Sequence, residues 1–348
     1  MRYAKRWIPP GLMAMFIAGR SAEESSQGQA LFRNSSLAMV AVVATAMAAP
    51  LWADFKGHHT PGFWGMYSGT QAPAPGTSIV TPIYSRYYSD KLVDNDGNEI
   101  NLTGQSRDIT VNSFALFGWW VSEHKLLGAN WGMQGSIYTS DNTLEFAHME
   151  FDSGYGFGDV YLQPLNLGWH LPRADFIVSY GLYMPTGKYT PGGDDNSGLG
   201  MWTHEFGAGT TLYLDAEKAW SLAAMAYYEI HSEKEGSDTR VGDILTIEGG
   251  MGRSWYEGAV SVGLAYYAQW KLTSDRIDGL DEIAPRLPSS LTPDRSRLFG
   301  AGPEVNFPIM IDGKPLCLVT ARYQWEFGAR STFEGELFSL FFNFPLGG

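Results

Sequence analysis

The sequence predicts an all-β protein, a transmembrane antiparallel up-and-down β-barrel of about twelve strands. Long segments alternate apolar with polar residues, and the loops between them are alternately short and long. Aromatic residues make up 14% of the chain, yet the mean hydropathy is only −0.16. Alternation explains both values, because apolar residues at every second position form a lipid-facing band without a continuous apolar run. Ten or fourteen strands also fit, depending on how the weak segments are divided.

Composition excludes several other classes of protein. The aromatic and apolar content argues against a disordered chain, and the hydropathy argues against an α-helical membrane protein. A single cysteine, Cys317, excludes a disulfide framework and any multi-cysteine metal site. The formal net charge of −13 makes nucleic acid an unlikely ligand by composition, since such partners require a positive face. We therefore expect no nucleic-acid partner and no cofactor.

An export segment precedes the alternating region. The apolar run at residues 37–53 follows Arg33 and ends in small residues, which is the layout of a secretory signal peptide. We interpret residues 1–53 as an N-terminal extension plus a signal peptide, with cleavage after Ala53. An uncleaved anchor is the alternative, but the apolar core before Pro50 is shorter than the roughly 20 residues that span a bilayer.

Two details of this region stay open from sequence alone. Cleavage after Ala48 also satisfies the preference for small residues, and a start codon assigned too early would explain residues 1–30. After export, we expect residues 54–77 to form an N-terminal periplasmic segment. Residues 78–348 are expected to form the outer-membrane barrel.

Four of the twelve predicted strands alternate most regularly, each with one apolar face and one small or polar face. They are the sixth, seventh, ninth and eleventh, at residues 205–214, 220–231, 256–273 and 317–327. The second (Asp108 to Val121) and the fourth (Gly156 to His170) alternate poorly. Pro164 in the fourth predicts a β-bulge, because proline cannot donate a hydrogen bond to the ladder.

The predicted connections alternate in length along the chain. Tight ones follow the even strands, at Ser122 to Leu126, His170 to Ala174, Asp215 to Glu217, Ser254 to Trp255 and Ile309 to Lys314. Longer polar ones follow the odd strands, at Asp90 to Gln105, Ser140 to Ser153, Thr186 to Gly198, Ser232 to Arg240 and Ser274 to Pro293. Short periplasmic turns and long outer loops are typical of outer-membrane barrels.

The last predicted strand, Phe333 to Phe344, places aromatic and apolar residues on one face. Such an aromatic-ended strand predicts recognition by the outer-membrane assembly machinery, although four further residues, Pro345 to Gly348, follow it. The expected location is the bacterial outer membrane, with its lipids as partners of the apolar band.

Two short motifs carry a family resemblance. The run Gly156-Phe157-Gly158-Asp159 and the run from Gly181 to Tyr189 (GLYMPTGKY) resemble the family of meta-pathway phenol-degradation (MetA-type) proteins, over roughly residues 61–344. The resemblance implies an outer-membrane barrel that acts as a transporter or channel, often encoded with the degradation of aromatic or other hydrophobic compounds.

Polar residues on the predicted inward faces are the candidate functional residues. They are Asp159, Glu205, Glu229, Glu248, Glu257, Gln269, Lys271, Glu304, Arg322, Gln324 and Glu326. An acidic interior of this kind favours neutral or cationic solutes over anionic ones, because charged rings set pore selectivity. The alternative for each residue is a structural role, such as an ion pair between Arg322 and a glutamate inside a narrow barrel.

The functional hypothesis is a channel that passes a small-molecule solute by passive diffusion, with neutral, aromatic or hydrophobic, and cationic compounds as the solute class. Two alternatives are a closed structural or adhesive barrel and an outer-membrane hydrolase that uses His231 and Ser232. No recognisable motif surrounds that pair, so no catalytic residue is assigned. The histidines lack metal-binding spacing, and no metal site is expected.

Overall fold

The computed structural model describes most of the chain after the predicted export segment. The described residues are 56–72, 74–100, 108–146, 149–193, 195–256, 259–277 and 295–346. The predicted extension and signal peptide at 1–53 lie outside them, as do Glu257 and most of the predicted loop from Ser274 to Pro293. No helix in these ranges has the length and apolar character that crossing a membrane requires.

Twelve long strands and four short ones are formed by the described residues. The long strands are β1 (Ser78–Ser89), β3 (Ile109–Leu126), β4 (Ala129–Phe146), β7 (Val160–His170), β8 (Ala174–Met184), β9 (Thr203–Tyr213), β10 (Trp220–His231), β11 (Ile244–Trp255), β12 (Val260–Lys271), β13 (Arg297–Ile311), β14 (Lys314–Arg330) and β16 (Glu336–Leu346). The short strands are β2 (Leu92–Val93), β5 (Met149–Asp152), β6 (Gly156–Phe157) and β15 (Thr332–Phe333).

The long strands form a closed barrel. Each one pairs antiparallel with the next long strand along the chain, and β1 pairs with both β3 and β16. The pairing of β3 with β4 completes the circle. The predicted twelve-stranded antiparallel barrel is therefore confirmed.

The two faces of the wall follow the predicted alternation. In β10 every odd residue from Ser221 to His231 is buried, whereas the even residues are more exposed. In β11 the pattern is offset so that Thr246 and Glu248 are buried while Met251 is exposed. Outward positions of the neighbouring strands carry large apolar side chains such as Phe206 and Leu264. The apolar face is the outer surface that a lipid-embedded barrel requires.

Several predicted connections lie wholly or partly in strands, and the predicted turn at Ser254 to Trp255 is the end of β11. β3 continues through the predicted turn at Ser122 to Leu126, and the chain reverses at Leu127 and Gly128, both with positive φ. Likewise β4 continues to Phe146, inside the predicted loop that begins at Ser140. Strand ends beyond the apolar band are exposed to solvent on both faces, so their sequence lacks the apolar–polar alternation from which a strand is predicted.

The predicted bulge at Pro164 is present. The register between β7 and β8 shifts between Leu162 and Leu165, and the register between β7 and β4 shifts at the same level. Pro164 leaves one position of the ladder without a donor, and the strand adapts by bulging there.

Most of the described residues within 56–76 lie inside the barrel, with residues 72 and 74–76 exposed at its rim, and the expectation that residues 54–77 form a periplasmic segment is wrong for the interior part. The backbone and side chains of this stretch, here called the N-terminal segment, bond to inward side chains of β9, β10, β11, β13 and β14. Side chains alone fill a barrel of about eight strands but not a wider one. The N-terminal segment takes up the additional interior of this twelve-stranded barrel.

Candidate functional site: the filled lumen

The N-terminal segment runs through the lumen from one rim toward the other. Its first described residues contact Glu229, which is near the long-loop end of β10. Its last residues bond to β3 near the short-turn rim, where Gly76 N donates to Val121 O at 2.9 Å. The chain then turns into β1 at Ser78, so the segment is tethered at the short-turn rim and reaches toward the long loops.

His58 connects the N-terminal segment to the long-loop rim. Its Nε2 lies 2.9 Å from Asp159 Oδ2, and its Nδ1 lies 2.7 Å from Thr203 Oγ1. The other oxygen of Asp159 accepts a hydrogen bond from Gly187 N at 2.9 Å. Burial alone raises the pKa of Asp159, but hydrogen bonds from His58, Leu199 N and Gly187 N lower it below its usual range. Asp159 therefore remains an anion that binds His58 and two loop amides together.

His59 lies between two buried carboxylates. Its Nδ1 is 2.8 Å from Glu205 Oε2, and its Nε2 is 3.0 Å from Glu248 Oε1. The ring also packs on Tyr227, with a centroid distance of 4.3 Å. Burial by itself lowers the pKa of His59, but the charges of Glu248 and Glu205 outweigh it and raise that pKa well above its ordinary value. The ring is thus held as an imidazolium that donates from both edges.

Backbone N–H groups of the N-terminal segment complete the binding of these carboxylates. Glu229 Oε1 accepts hydrogen bonds from His58 N at 2.8 Å and from His59 N at 2.9 Å. Glu248 Oε2 accepts from Gly62 N at 2.8 Å. Charge-assisted hydrogen bonds of this kind are stronger than neutral ones. The acidic interior thus binds the peptide backbone as well as the histidines.

Arg322 binds the middle of the N-terminal segment. Its Nε donates to Glu304 Oε2 at 2.9 Å, and a terminal nitrogen lies 2.7 Å from the same oxygen. The other terminal nitrogen donates to Gly62 O at 2.6 Å and to Phe63 O at 2.9 Å. The predicted pairing of Arg322 with a glutamate is present, and the same guanidinium also binds two carbonyl groups of the segment.

Two aromatic residues of the N-terminal segment pack on the opposite wall. Phe63 meets Phe341 of β16 edge to face at 5.5 Å, and Trp64 meets Phe117 and Trp119 of β3 at 5.8 Å each. Phe117, Trp119 and Phe341 are all buried. One side of the segment therefore meets carboxylates while the other meets aromatic rings.

Inward glycines make room for Met66, which is fully buried. A Cβ atom at Gly252 or at Gly263 would overlap the Met66 sulfur. At both positions the side chain that needs the space belongs to the N-terminal segment. The barrel wall and the segment are complementary in shape as well as in charge.

The predicted lumen residues fall into three groups. Six contact the N-terminal segment, and four face inward without a hydrogen bond to it, while Glu257 lies outside the described residues. The first group is Asp159, Glu205, Glu229, Glu248, Glu304 and Arg322. The second group is Gln269, Lys271, Gln324 and Glu326. Gln269 donates a hydrogen bond to Thr246, and Lys271 forms an ion pair with Asp275. Gln324 is fully buried, and Glu326 accepts hydrogen bonds from Tyr87 and Tyr267.

Sequence reasoning missed the partners of these residues. His58, His59, Phe63, Trp64 and Gln71 all lie in a stretch without strand periodicity. Gln71 Nε2 donates to Asn166 Oδ1 at 2.9 Å and so holds the segment near the short-turn rim. The available signals were the adjacent histidines and aromatics, together with an interior charge that needed compensation.

The pair His231 and Ser232 does not form a catalytic arrangement. Ser232 Oγ accepts a hydrogen bond from Trp202 N and donates to Glu233 O, while His231 Nε2 lies 3.7 Å from Glu229 Oε1. Among the described residues, no group of three histidine, cysteine or acidic side chains has the geometry of a metal site.

We expect Gly65→Val to expel the N-terminal segment from the lumen. A Cβ atom at Gly65 would overlap the Glu304 carboxylate and the Arg322 guanidinium. Limited proteolysis of the folded barrel should then cleave the segment faster than in the wild type. Gly118→Val is the matched control, because nothing lies within 4 Å of a Cβ atom at Gly118. Equal cleavage rates in the two variants would contradict this expectation.

A known protein family matches most of this chain. The family described as "Putative MetA-pathway of phenol degradation" matches residues 89–342. No curated protein matches the chain. The two motifs that carry the family resemblance are in contact in the structure. The Asp159 carboxylate of the first motif accepts a hydrogen bond from the backbone N–H of Gly187 in the second.

Several solved structures resemble this barrel. The COG4313 outer membrane channel from Pseudomonas putida F1 has a TM-score of 0.63 at 15% identity, with 83% of this chain and 100% of that chain covered. The translocator domain of the autotransporter NalP from Neisseria meningitidis has a TM-score of 0.43 at 11% identity, covering 78% of this chain and 89% of that one. At 15% identity the first likeness shows the shared barrel fold.

Proposed function

We propose that this chain, which belongs to the family described as "Putative MetA-pathway of phenol degradation", is an outer-membrane channel for small solutes. Solutes cross by passive diffusion, and the lumen is closed while the N-terminal segment is seated. One observation carries the proposal: the interior charges of the barrel bond to a segment that joins β1 at the short-turn rim and is not a strand of the wall.

The nature of these contacts favours a channel over a permanently closed structural barrel. The N-terminal segment is held by hydrogen bonds, ion pairs and ring contacts, all of which are reversible. When the segment leaves, the twelve-stranded wall remains, and its interior is wider than side chains can fill.

The interior composition indicates which solutes pass. Glu205, Glu229, Glu248 and Glu304 face the lumen, and among the described residues only Glu304 of these four pairs with an arginine or lysine, Arg322, so the released channel favours cations over anions. Phe117, Trp119 and Phe341 offer an aromatic surface on the other wall. Neutral, aromatic or hydrophobic, and cationic solutes fit this lining. The apolar band contacts outer-membrane lipids, and β16 is the strand presented to the assembly machinery.

The test is conductance in planar bilayers. We expect a small conductance for the wild type and a larger, cation-selective one for Gly65→Val, because the segment no longer fills the lumen. In that background, Glu229→Gln together with Glu326→Gln should shift the reversal potential in a salt gradient toward lower cation preference.

Two outcomes count against this function. Absence of ion and solute flux in the Gly65→Val variant would contradict the channel and favour the closed barrel. Unchanged reversal potentials after both glutamate substitutions would contradict the role of the acidic interior while leaving the channel itself intact.

A further inference from the structure

Three glutamates of adjacent strands meet in the wall of the lumen. Glu205 of β9 lies directly opposite Glu229 of β10 in the strand register, and Glu248 follows on β11. They are 2%, 0% and 0% exposed. All three belong to the barrel wall, so they stay together when the N-terminal segment leaves. We call them the glutamate cluster.

The bound His59 ring shows which shape of cation this cluster accepts. One ring nitrogen meets Glu205 and the other meets Glu248, at 2.8 and 3.0 Å. Tyr227 covers one face of the ring. A ligand that reproduces these contacts is flat, carries a positive charge and has N–H donors on opposite edges.

A second observation shows that the cluster has binding capacity which the segment does not use. His231 is 3% exposed, and neither of its ring nitrogens makes a hydrogen bond within the described part of the chain. Its Nε2 lies 3.7 Å from Glu229 Oε1, and Glu229 Oε2 makes no hydrogen bond there either. His231 therefore borders the glutamate cluster, and its ring and Glu229 Oε2 are polar groups beside the His59 site that the seated segment leaves without a hydrogen bond in the described part of the chain.

We propose that Glu205, Glu248 and Tyr227 form a binding site for small planar organic cations of the imidazolium or guanidinium type, which compete with His59 for it. Access of the cation from solution rests on the channel function proposed above. The flat N–H donors of such cations satisfy two carboxylates at once, and the ring of Tyr227 stabilises the charge from its face. A tetraalkylammonium ion has the same charge but no N–H donor, so it binds the site poorly.

Calorimetric titration of the purified full-length protein with imidazolium chloride at pH 6 tests the site. His59→Ala removes the competing ring. We expect this variant to bind imidazolium at least about tenfold more tightly than the wild type, because the cation no longer has to displace the charge-assisted hydrogen bonds of His59. Adding Glu205→Gln and Glu248→Gln should abolish this binding. Glu326→Gln, a carboxylate outside the cluster, is the matched control and should leave it unchanged.

Specificity and folding are checked in the same preparations. Tetramethylammonium chloride at equal ionic strength should give no saturable heat. Heat-dependent electrophoretic mobility should show a folded barrel for every variant. The proposal is overturned if tetramethylammonium binds as tightly as imidazolium, if His59→Ala binds no better than the wild type, or if binding survives the loss of both glutamates.

Conductance of the same variants separates this site from the channel function. If His59→Ala conducts more than the wild type but binds neither imidazolium nor guanidinium, the cation site is refuted and the channel stands. If imidazolium binds His59→Ala with the expected specificity but no variant passes ions, the site stands and the channel function is refuted.

Discussion

Arg322→Met is expected to release the N-terminal segment from a barrel that still folds. The substitution removes the only described cation that meets Glu304, and it frees the carbonyl groups of Gly62 and Phe63. Breaking a buried ion pair by removing one partner costs about 3–5 kcal/mol, because the other charge stays buried without compensation. When the segment leaves the lumen, water reaches Glu304 and this cost is relieved, so the released state is favoured.

Thiol labelling measures this release. Ser68 lies in the segment and is 4% exposed, so a Ser68→Cys variant in a Cys317→Ala background reacts with a polar thiol reagent only when the segment leaves. A loss of 3–5 kcal/mol corresponds to roughly two to four powers of ten in the ratio of released to seated segment. The labelling rate should rise accordingly, up to the rate of a fully accessible thiol.

A second substitution separates charge from contact. Adding Glu304→Gln to Arg322→Met removes the stranded charge but leaves the two carbonyl groups without the guanidinium. We expect the double variant to label more slowly than Arg322→Met and faster than the wild type. Equal labelling of the wild type and Arg322→Met would mean that this ion pair does not hold the segment.

The wall of the barrel could be predicted from sequence because its physics is periodic. Residues in β10 and β12 contact lipid on one face and the interior on the other, so apolar residues recur at every second position of the sequence. The ends of some strands could not be predicted from this alternation. The last residues of β3, after Val121, extend beyond the apolar band, so polar residues occur on both faces and the strand resembled a turn.

The filling of the lumen could not be predicted in the same way. Alternation predicts that the glutamates at 205, 229 and 248 face inward, but it says nothing of their partners, which come from a stretch about 150 or more residues away in sequence. The sequence of residues 56–76 has no regular period, because its residues contact several different strands of the wall. An excess of inward carboxylates over inward cations was the physical signal that a further partner was required.

Raising the pH is expected to open the proposed channel through His59. Its pKa is well above the ordinary value of 6.5 when the segment is seated, since Glu248 and Glu205 outweigh the effect of burial, which by itself lowers it. A released His59 faces water and regains the ordinary value. Its contribution to seating is therefore fully present below about pH 6.5, and it is lost as the pH rises toward and through the raised value.

The size of this effect follows from proton linkage. Between the two pKa values the released state binds fewer protons than the seated state, so the ratio of released to seated segment rises by up to about tenfold per pH unit. Other groups surround His59. Glu229 accepts a hydrogen bond from the backbone N–H of His59, Tyr227 packs on the ring, and the Tyr161 hydroxyl donates a hydrogen bond to Glu205. Loss of the imidazolium charge leaves the glutamate cluster without its bound cation.

Open probability in planar bilayers, recorded from pH 6 upward, tests this linkage. We expect a steep rise for the wild type and a shallower dependence for His59→Gln, since glutamine keeps a donor near the carboxylates but does not titrate. His59→Gln should also be more open than the wild type at pH 6, where the wild-type ring carries its full charge. His124→Gln removes an exposed histidine at the end of β3 and should follow the wild-type curve. If His59→Gln and the wild type gave the same pH dependence, His59 would not be the group that couples protons to the segment, and its two carboxylate contacts would hold the segment without regulating it.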